Sequence, residues 1–480
     1  MKMDNLDWIF DVAVIGSGVI GSGIAYELSK RQISVAVIEK AAVPTQGTSK
    51  GNSGVLHGGY DDPPGSLRGE LVLAGNRRYD DWADELGVNI VRNGSMVVAL
   101  SDTDVAYIRK LYEQGIARGV TGLELLSGPE VLQLEPNVNR DVKGGLRAKT
   151  AGVVCPMTVV NMLFKNAVAN GVVPFMDHEV TGFDLSDVTG ATGVVTTHGT
   201  VRARAVVNAA GVHGDEISKM AGVGGYRITP RRGEYILLEP HPDYNVSHVI
   251  FPTPTETSKG VLVIATASGD ILIGPTAQDI PKDEQDNTAT TLEGLHEILK
   301  KSRRLVPGIR TELTIKTYAG NRAEPENGDF IVQRYEEPTG FINAIGIRSP
   351  GLTAAPAIAD RVVMFVQEVV GERPLRDDYR YIRYTTFDPA LEAMEDVRWA
   401  DTLTPNLDSP PSVLLDYGWE FGVGSQLYQY TCFSNRGLGA DLGTTFQNEL
   451  ITYLQKKGLS LDEIVYRAGQ PPQVVSHGAP

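Results

Sequence analysis

Cysteine is nearly missing from this chain: Cys155 and Cys432 are the two present in 480 residues, and they stand far apart. A disulfide framework, a zinc site and a cysteine-ligated iron-sulfur cluster therefore cannot be built within it, and no metal is expected. Positive charge is also in deficit, with 44 Lys and Arg against 59 Asp and Glu and a net charge of -15. That balance argues against a nucleic-acid partner and against acidic membrane surfaces. No stretch of about eighteen apolar residues occurs. The first ten residues carry Asp4 and Asp7 and no apolar core of signal-peptide length, so a cytoplasmic location without a transmembrane anchor is the expectation. Internal repeats and low-complexity tracts are missing as well, and the length predicts two or three packed regions rather than one core.

What is present starts at once. FDVAVI (Phe10 to Ile15) is a short apolar run of β-forming residues, followed by GSGVIG with Gly16, Gly18 and Gly21, then by the apolar helix IAYELSK. Gly16 permits the tight turn, Gly18 lets the backbone approach a pyrophosphate, and Gly21 lets the helix sit close to the strand. A second strand, SVAVI (Ser34 to Ile38), ends in Glu39, a carboxylate placed to accept hydrogen bonds from both ribose hydroxyls. This is a dinucleotide-binding βαβ unit. After it the chain enters TQGTSKGNSGVLHGGY (Thr45 to Tyr60), small residues that suit a backbone lying against a flat ring.

Further motifs follow in one order: TSKGNSGVLHGGYDDPPGSLRGEL, TAGVVCP (Thr150 to Pro156), VVNAAGVHGDEI (Val206 to Ile217) and PRRGEYILLE (Pro230 to Glu239). KGVLV and ILIGPTAQD lie between Lys259 and Asp279, and AGNRAEPENGDF (Ala319 to Phe330) and SPGLTAAPAIA (Ser349 to Ala359) complete the set. In these the chain resembles the glycerol-3-phosphate dehydrogenase and oxidase branch of the D-amino-acid-oxidase-like flavoenzymes, a group that includes L-2-hydroxyglutarate dehydrogenases. The resemblance covers roughly the first 370 residues. It implies FAD as cofactor, with Gly16, Gly18, Gly21 and Glu39 on the ADP half and Thr48, Ser49, Asn52 and Ser53 along the pyrophosphate and flavin. Val180 would meet the adenine side, Ala210 and Gly211 close a strand of the cofactor domain, and Gly346, Gly351, Leu352 and Thr353 would face the flavin's pyrimidine edge.

The expected fold is α/β, α+β overall: a Rossmann-like FAD-binding domain in pieces (9–88, 150–225 and 329–371) around a discontinuous substrate domain (89–149 and 226–328) on a mixed or antiparallel sheet. Val91–Leu100, Gly233–Glu239, Gly260–Ala265, Asp270–Gly274 and Leu313–Tyr318 read as its strands, and 291–305 as a helix with Leu292, Leu295 and Leu299 on one face. Residues 376–480, with the Pro/Ser stretch TPNLDSPPS, form a C-terminal extension of unread role.

For chemistry, His57 in GVLHGGY is the candidate base, taking a hydroxyl proton as hydride leaves the same carbon for the flavin. A buried structural histidine and a covalent link to the flavin are its alternatives. Arg322 matches the family's substrate-anion arginine, and its guanidinium fork suits a carboxylate or phosphate. By the same resemblance Lys259, Ser349, Arg232 and Tyr235 line the substrate site. Arg348 stands where relatives commonly carry an acid, so it is either a second anion contact or the partner of an acid. The leading substrate is a small anionic secondary alcohol, sn-glycerol 3-phosphate first and L-2-hydroxyglutarate or another 2-hydroxy acid next, with an amine or amino acid as alternative; a flavin-binding interaction module without chemistry ranks lower. Oxygen, a quinone or a carrier protein is left open as electron acceptor, and a homo-oligomer is admitted.

Overall fold

Ile9–Ile15 forms a strand because its apolar, largely β-branched residues are buried on both faces, as a central parallel strand requires. It lies parallel to Val35–Ile38 on one side and Gly199–Asn208 on the other. The computed structural model describes residues 8–185, 190–254 and 260–383, together with two short paired strands, Ile464–Val465 and Gln473–Val474. Residues 2–385 form one compact unit, and the paired strands belong to a second, from 386 onward. The long stretch TPNLDSPPS and Cys432 fall outside the described residues.

Among the described residues an eight-stranded sheet is built on this parallel centre. Val173–Phe175 extends it beyond Val35–Ile38. On the far edge Gly199–Asn208 is shared: its first half pairs antiparallel with Thr192–Thr196, and its end pairs parallel with Phe341–Ile345. The consequence is geometric. The segments that follow four parallel strands, at Gly16, Glu39, Ala209 and Gly346, all leave from the same carboxyl edge, where open α/β sheets bind ligands. Helices Val19–Ser29, Pro156–Ala169, Leu67–Leu86 and Gly351–Val370 pack on one another beside this sheet. None of the described helices is long and apolar enough to cross a membrane.

Among the described residues the second sheet has nine strands, all paired antiparallel except Val249–Pro252 against Ser95–Ala99. Its longest pairing joins Ile228–Leu238 to Thr314–Pro325. Here the sequence expectations need adjustment. The strand expected over 313–318 runs on to Pro325, which carries AGNRAEP into the sheet. Val91–Leu100 is interrupted instead: Ile90–Val91 joins a small three-stranded sheet with Val55–Leu56 and Gly152–Val154, and Gly94, at φ +77°, turns the chain into Ser95–Ala99. Helix Leu292–Leu305 starts after Thr291, whose hydroxyl accepts from the Gly294 amide. It buries Ile298, Ser302 and Leu305, with Leu295 and Leu299 packed partly against the same core. Leu292 is exposed, not buried, because it sits roughly 120° round the helix from Ile298 and in the first turn.

The start of the expected C-terminal extension is tied to the first sheet's helices. The Asn166 and Asn170 side chains bond the backbones of Ile382 and Arg380, and Tyr379 packs edge-on against Tyr26.

Candidate active site

A cavity opens along the carboxyl edge of the first sheet and runs under the second. At one end it is made of backbone. Gly16 has φ +99°, and a Cβ there would stand 2.5 Å from the Ala209 carbonyl oxygen; a Cβ on Gly21 would stand 1.9 Å from the Gly16 oxygen. No other residue fits this turn. Gly18 caps helix Val19–Ser29 without a side-chain bond and with no acid in the first turn, leaving a helix N-terminus that favours an anion. Ser49 Oγ accepts from the Val19 amide at 2.9 Å. The Glu39 carboxylate, at the end of the neighbouring strand, accepts from the Ser17 amide and hydroxyl, each at 2.8 Å, and from the Ala41 amide at 2.9 Å. Val180, Ala210 and Gly211 line the same end.

From there the wall is the small-residue segment. Thr48, Ser49, Asn52 and Ser53 line the cavity. The segment is stitched to strand Thr314–Pro325: Thr48 donates to the Asn321 carbonyl at 2.5 Å, Tyr318 donates to the Asn52 carbonyl at 3.2 Å, and Gly51 lies backbone to backbone on Gly320. The two sheets therefore meet at this wall, and a side chain at either glycine would force them apart.

The floor beyond follows from strand register. Tyr235 faces Tyr318, Gly233 faces Gly320, and Arg231 faces Arg322 across the antiparallel pair. The two tyrosine rings stack with centroids 4.9 Å apart. Burial raises the Tyr235 phenol above its ordinary value, while Arg322 and a hydrogen bond with Ser53 draw it down. Two arginines directly opposite would repel. They are separated by their partners: Arg231 makes a bidentate pair with Asp279, at 2.5 and 3.0 Å, and lies 3.4 Å from Glu324. Arg322 turns to the Thr276 carbonyl, 2.7 Å away. Among the described residues it has no ion-pair partner. Burial lowers its pKa below the ordinary arginine value, with Tyr235 and Glu324 acting in the other direction, and the guanidinium stays charged. Arg348 also reaches the cavity and is ion-paired to Glu324.

Arg232 is not on this floor. Side chains alternate along a strand, so Arg232 and Tyr235, three apart, leave opposite faces. Arg232 is 5% exposed on the other side, 3.7 Å from Glu284, and Arg231 takes the place expected for it. That parity becomes readable once PRRGEY is known to be one unbroken strand. Glu324 and Phe251, also on the cavity wall, had no local sequence signal. Lys259 lies outside the described residues; its neighbour Gly260 lines the cavity.

Above the floor is His57. Its amide donates to Thr353 Oγ1 at 2.9 Å and its carbonyl accepts from Asn76 at 2.8 Å, so the backbone is held from two helices. Its ring lies 5.9 Å from that of Phe251, and Nε2 is 3.5 Å from Ser349 Oγ. Gly351 and Leu352, at the start of helix Gly351–Val370, complete the wall. Gly346 and Thr353 stand behind it: the first makes the turn at φ +64°, the second is buried and anchors His57.

The model of the DAO family, the FAD dependent oxidoreductases, matches residues 11–364. The chain belongs to this family. A glycerol 3-phosphate dehydrogenase from Caloramator mitchellensis is 41% identical over 377 residues, spanning 78% of this chain and 77% of that protein. A glycerol 3-phosphate oxidase from Mycoplasma genitalium is 29% identical over 360 residues, 74% of this chain and 93% of that one. Among solved structures, dithionite reduced L-alpha-glycerophosphate oxidase from Mycoplasma pneumoniae, with FAD bound, matches with a TM-score of 0.74 and 28% identity, covering 79% of this chain and 100% of that chain. As an FAD-dependent oxidoreductase this chain has to hold a dinucleotide, and the residues present fit one. The turn at Gly16 and Gly21 brings the N-terminus of helix Val19–Ser29, which carries no acid in its first turn, to the cavity edge, where it suits a pyrophosphate; Gly211 on the same wall has no atom within 4 Å of where a Cβ would stand, and Glu39 suits a ribose without a 2′-phosphate.

Proposed function

We propose that this enzyme oxidises a small anionic secondary alcohol, with sn-glycerol 3-phosphate, giving dihydroxyacetone phosphate, as the leading substrate. One observation carries the reading: Arg322 is a cavity-facing guanidinium whose carboxylate neighbours are committed elsewhere, in the same cavity as His57. A partly buried cation of this kind favours an anionic guest. The glycerol 3-phosphate relatives make phosphate the first choice.

In this reading the eight-stranded sheet and its segments (9–88, 150–225 and 329–371) hold the cofactor, and 89–149 with 226–328 hold the substrate. Gly16, Gly18, Glu39, Thr48 and Ser49 would bind FAD, which when bound supplies the two-electron acceptor for a hydride from the carbinol carbon. Arg322 fixes the anionic end, and the stacked Tyr235 and Tyr318 with Phe251 exclude water around the carbinol. His57 Nε2 takes the hydroxyl proton as the C–H bond breaks, and Ser349, 3.5 Å away, orients that nitrogen. Oxygen, a quinone or a carrier protein then takes up the electrons, and peroxide formed under air separates the first from the other two.

Anaerobic stopped-flow mixing of the yellow protein with sn-glycerol 3-phosphate, L-2-hydroxyglutarate, glycine and sarcosine tests the reading. Fast bleaching by the phosphate ester is expected. Bleaching by glycine or sarcosine and by no hydroxy compound would overturn it.

A further inference from the structure

Arg322 and Glu324 stand two residues apart in one strand, so both side chains leave the face that lines the cavity. Nothing in the strand itself keeps them apart: an acid and a base so placed are within reach of each other and would close the very cation a substrate needs. Glu324 is instead held from the other side. Arg231 Nη1 is 3.4 Å from Glu324 Oε2, but Arg231 is already bidentate to Asp279. Arg348 Nη1 pairs with Glu324 Oε1, and among the described residues Arg348 has no other carboxylate partner. The pair is three-quarters or more removed from solvent, with side chains 25% and 11% exposed, so it is poorly screened.

We propose that Arg348 is a positioning residue for anion binding: by engaging Glu324 it keeps that carboxylate off Arg322, leaving Arg322 available to the substrate. Arg348 acts through Glu324 and does not itself touch the anion. The inference rests on the anionic-substrate reading above and adds to it how the cation is kept open.

The test is a double-mutant cycle on the FAD-loaded enzyme with two readouts: the dissociation constant of inorganic phosphate, from its perturbation of the flavin spectrum, and KM and kcat for sn-glycerol 3-phosphate. Arg348→Gln is expected to raise the phosphate dissociation constant and KM by about tenfold, with kcat within about threefold. Arg348→Gln combined with Glu324→Gln is expected to bring both back to within about threefold of the parent, because the competing carboxylate is gone. Arg348→Lys is expected to stay near the parent. An unchanged dissociation constant in Arg348→Gln overturns the proposal, and a double variant as weak as the single makes Arg348 a direct anion contact and overturns it too. If Arg348→Gln does not fold, Glu324→Gln alone decides: phosphate binding equal to or tighter than the parent supports the inference, and binding weakened about tenfold sinks it. Should glycerol phosphate fail to bleach the flavin while the phosphate cycle behaves as described, the functional reading falls and this inference stands.

Discussion

The two ends of the cavity handle charge in opposite ways. The end at Gly16, Gly18 and Ser49 is built from backbone, a helix N-terminus and hydroxyls, with Glu39 as its buried-side carboxylate. The end at Arg322 sets three guanidiniums, of Arg231, Arg322 and Arg348, against two carboxylates, of Asp279 and Glu324. The first arrangement suits a ligand that is always present and never reacts at that end, since amides fixed in a turn need no reordering. The second suits a ligand that comes and goes, because a cation whose neighbouring carboxylates are held by other arginines can take up an anion and release it. If the contrast is correct, substitutions at the charged end should change turnover and leave flavin content alone, and substitutions in the cradle should do the reverse.

The largest expected effect is at His57. His57→Gln should lower kcat by about 10²–10⁴ while flavin content and phosphate binding stay within about threefold; a kcat within tenfold of the parent would remove His57 as base. Next comes Arg322→Ala, expected to lower kcat/KM by roughly 30- to 4,000-fold, or about 2–5 kcal/mol, again with full flavin. Loss of the flavin in Arg322→Ala would blur the division between the ends. The reciprocal case is Gly16→Ala, whose Cβ would meet the Ala209 carbonyl at a φ of +99°. It should purify without bound flavin, and absorbance in the blue checks that directly.

The same contrast explains what was legible in the sequence. The cradle is local: strand, glycines, helix and Glu39 fall within thirty or so residues, and their spacing is itself the constraint. The resemblance to flavoenzymes extended that to FAD and to the α/β architecture, and the family match agrees with both. The charged end is not local. Arg231 faces Arg322 by a register between strands about ninety residues apart, and Glu324 meets Arg348 across a chain reversal. Parity alone would have preferred Arg231 to Arg232 beside Tyr235, yet parity requires knowing that PRRGEY is one unbroken strand. The fate of Arg348, anion contact or partner of an acid, needed the pair with Glu324 to be seen.

That parity offers a smaller and sharper test. Arg231→Gln should raise KM for the anionic substrate by about tenfold with little change in thermal stability, because it loosens the hold on Glu324. Arg232→Gln should do the opposite, leaving KM within about threefold and costing about 1–3 kcal/mol of stability, because a buried, hydrogen-bonded group is disturbed behind the sheet. Equal effects on KM would mean the strand does not separate the two faces in solution.

The smallest effect is expected where the backbone end carries its own ion pairs. Lys40 lies 3.0 Å from Asp286, and His213 bonds Asp286 at 3.0 Å and Glu216 at 3.0 Å, all on the cavity rim. Lys40 and Asp286 are 45% and 66% exposed, so water and salt screen them and the pair contributes about 0–1 kcal/mol. Burial raises the Asp286 pKa, but hydrogen bonds from His213 and Lys40 outweigh it and hold the carboxyl below its ordinary value. A depressed carboxylate contributes fully above its ordinary pKa and loses that contribution only as the pH falls through the lower folded-state value. At neutral pH, Asp286→Asn should therefore change the dissociation constant for FAD by less than about fivefold, measured by flavin fluorescence on reconstituting the stripped protein. A change beyond tenfold would mean that ion pairs, and not fixed amides, supply much of the grip at that end, and the two ends of the cavity would no longer differ in kind.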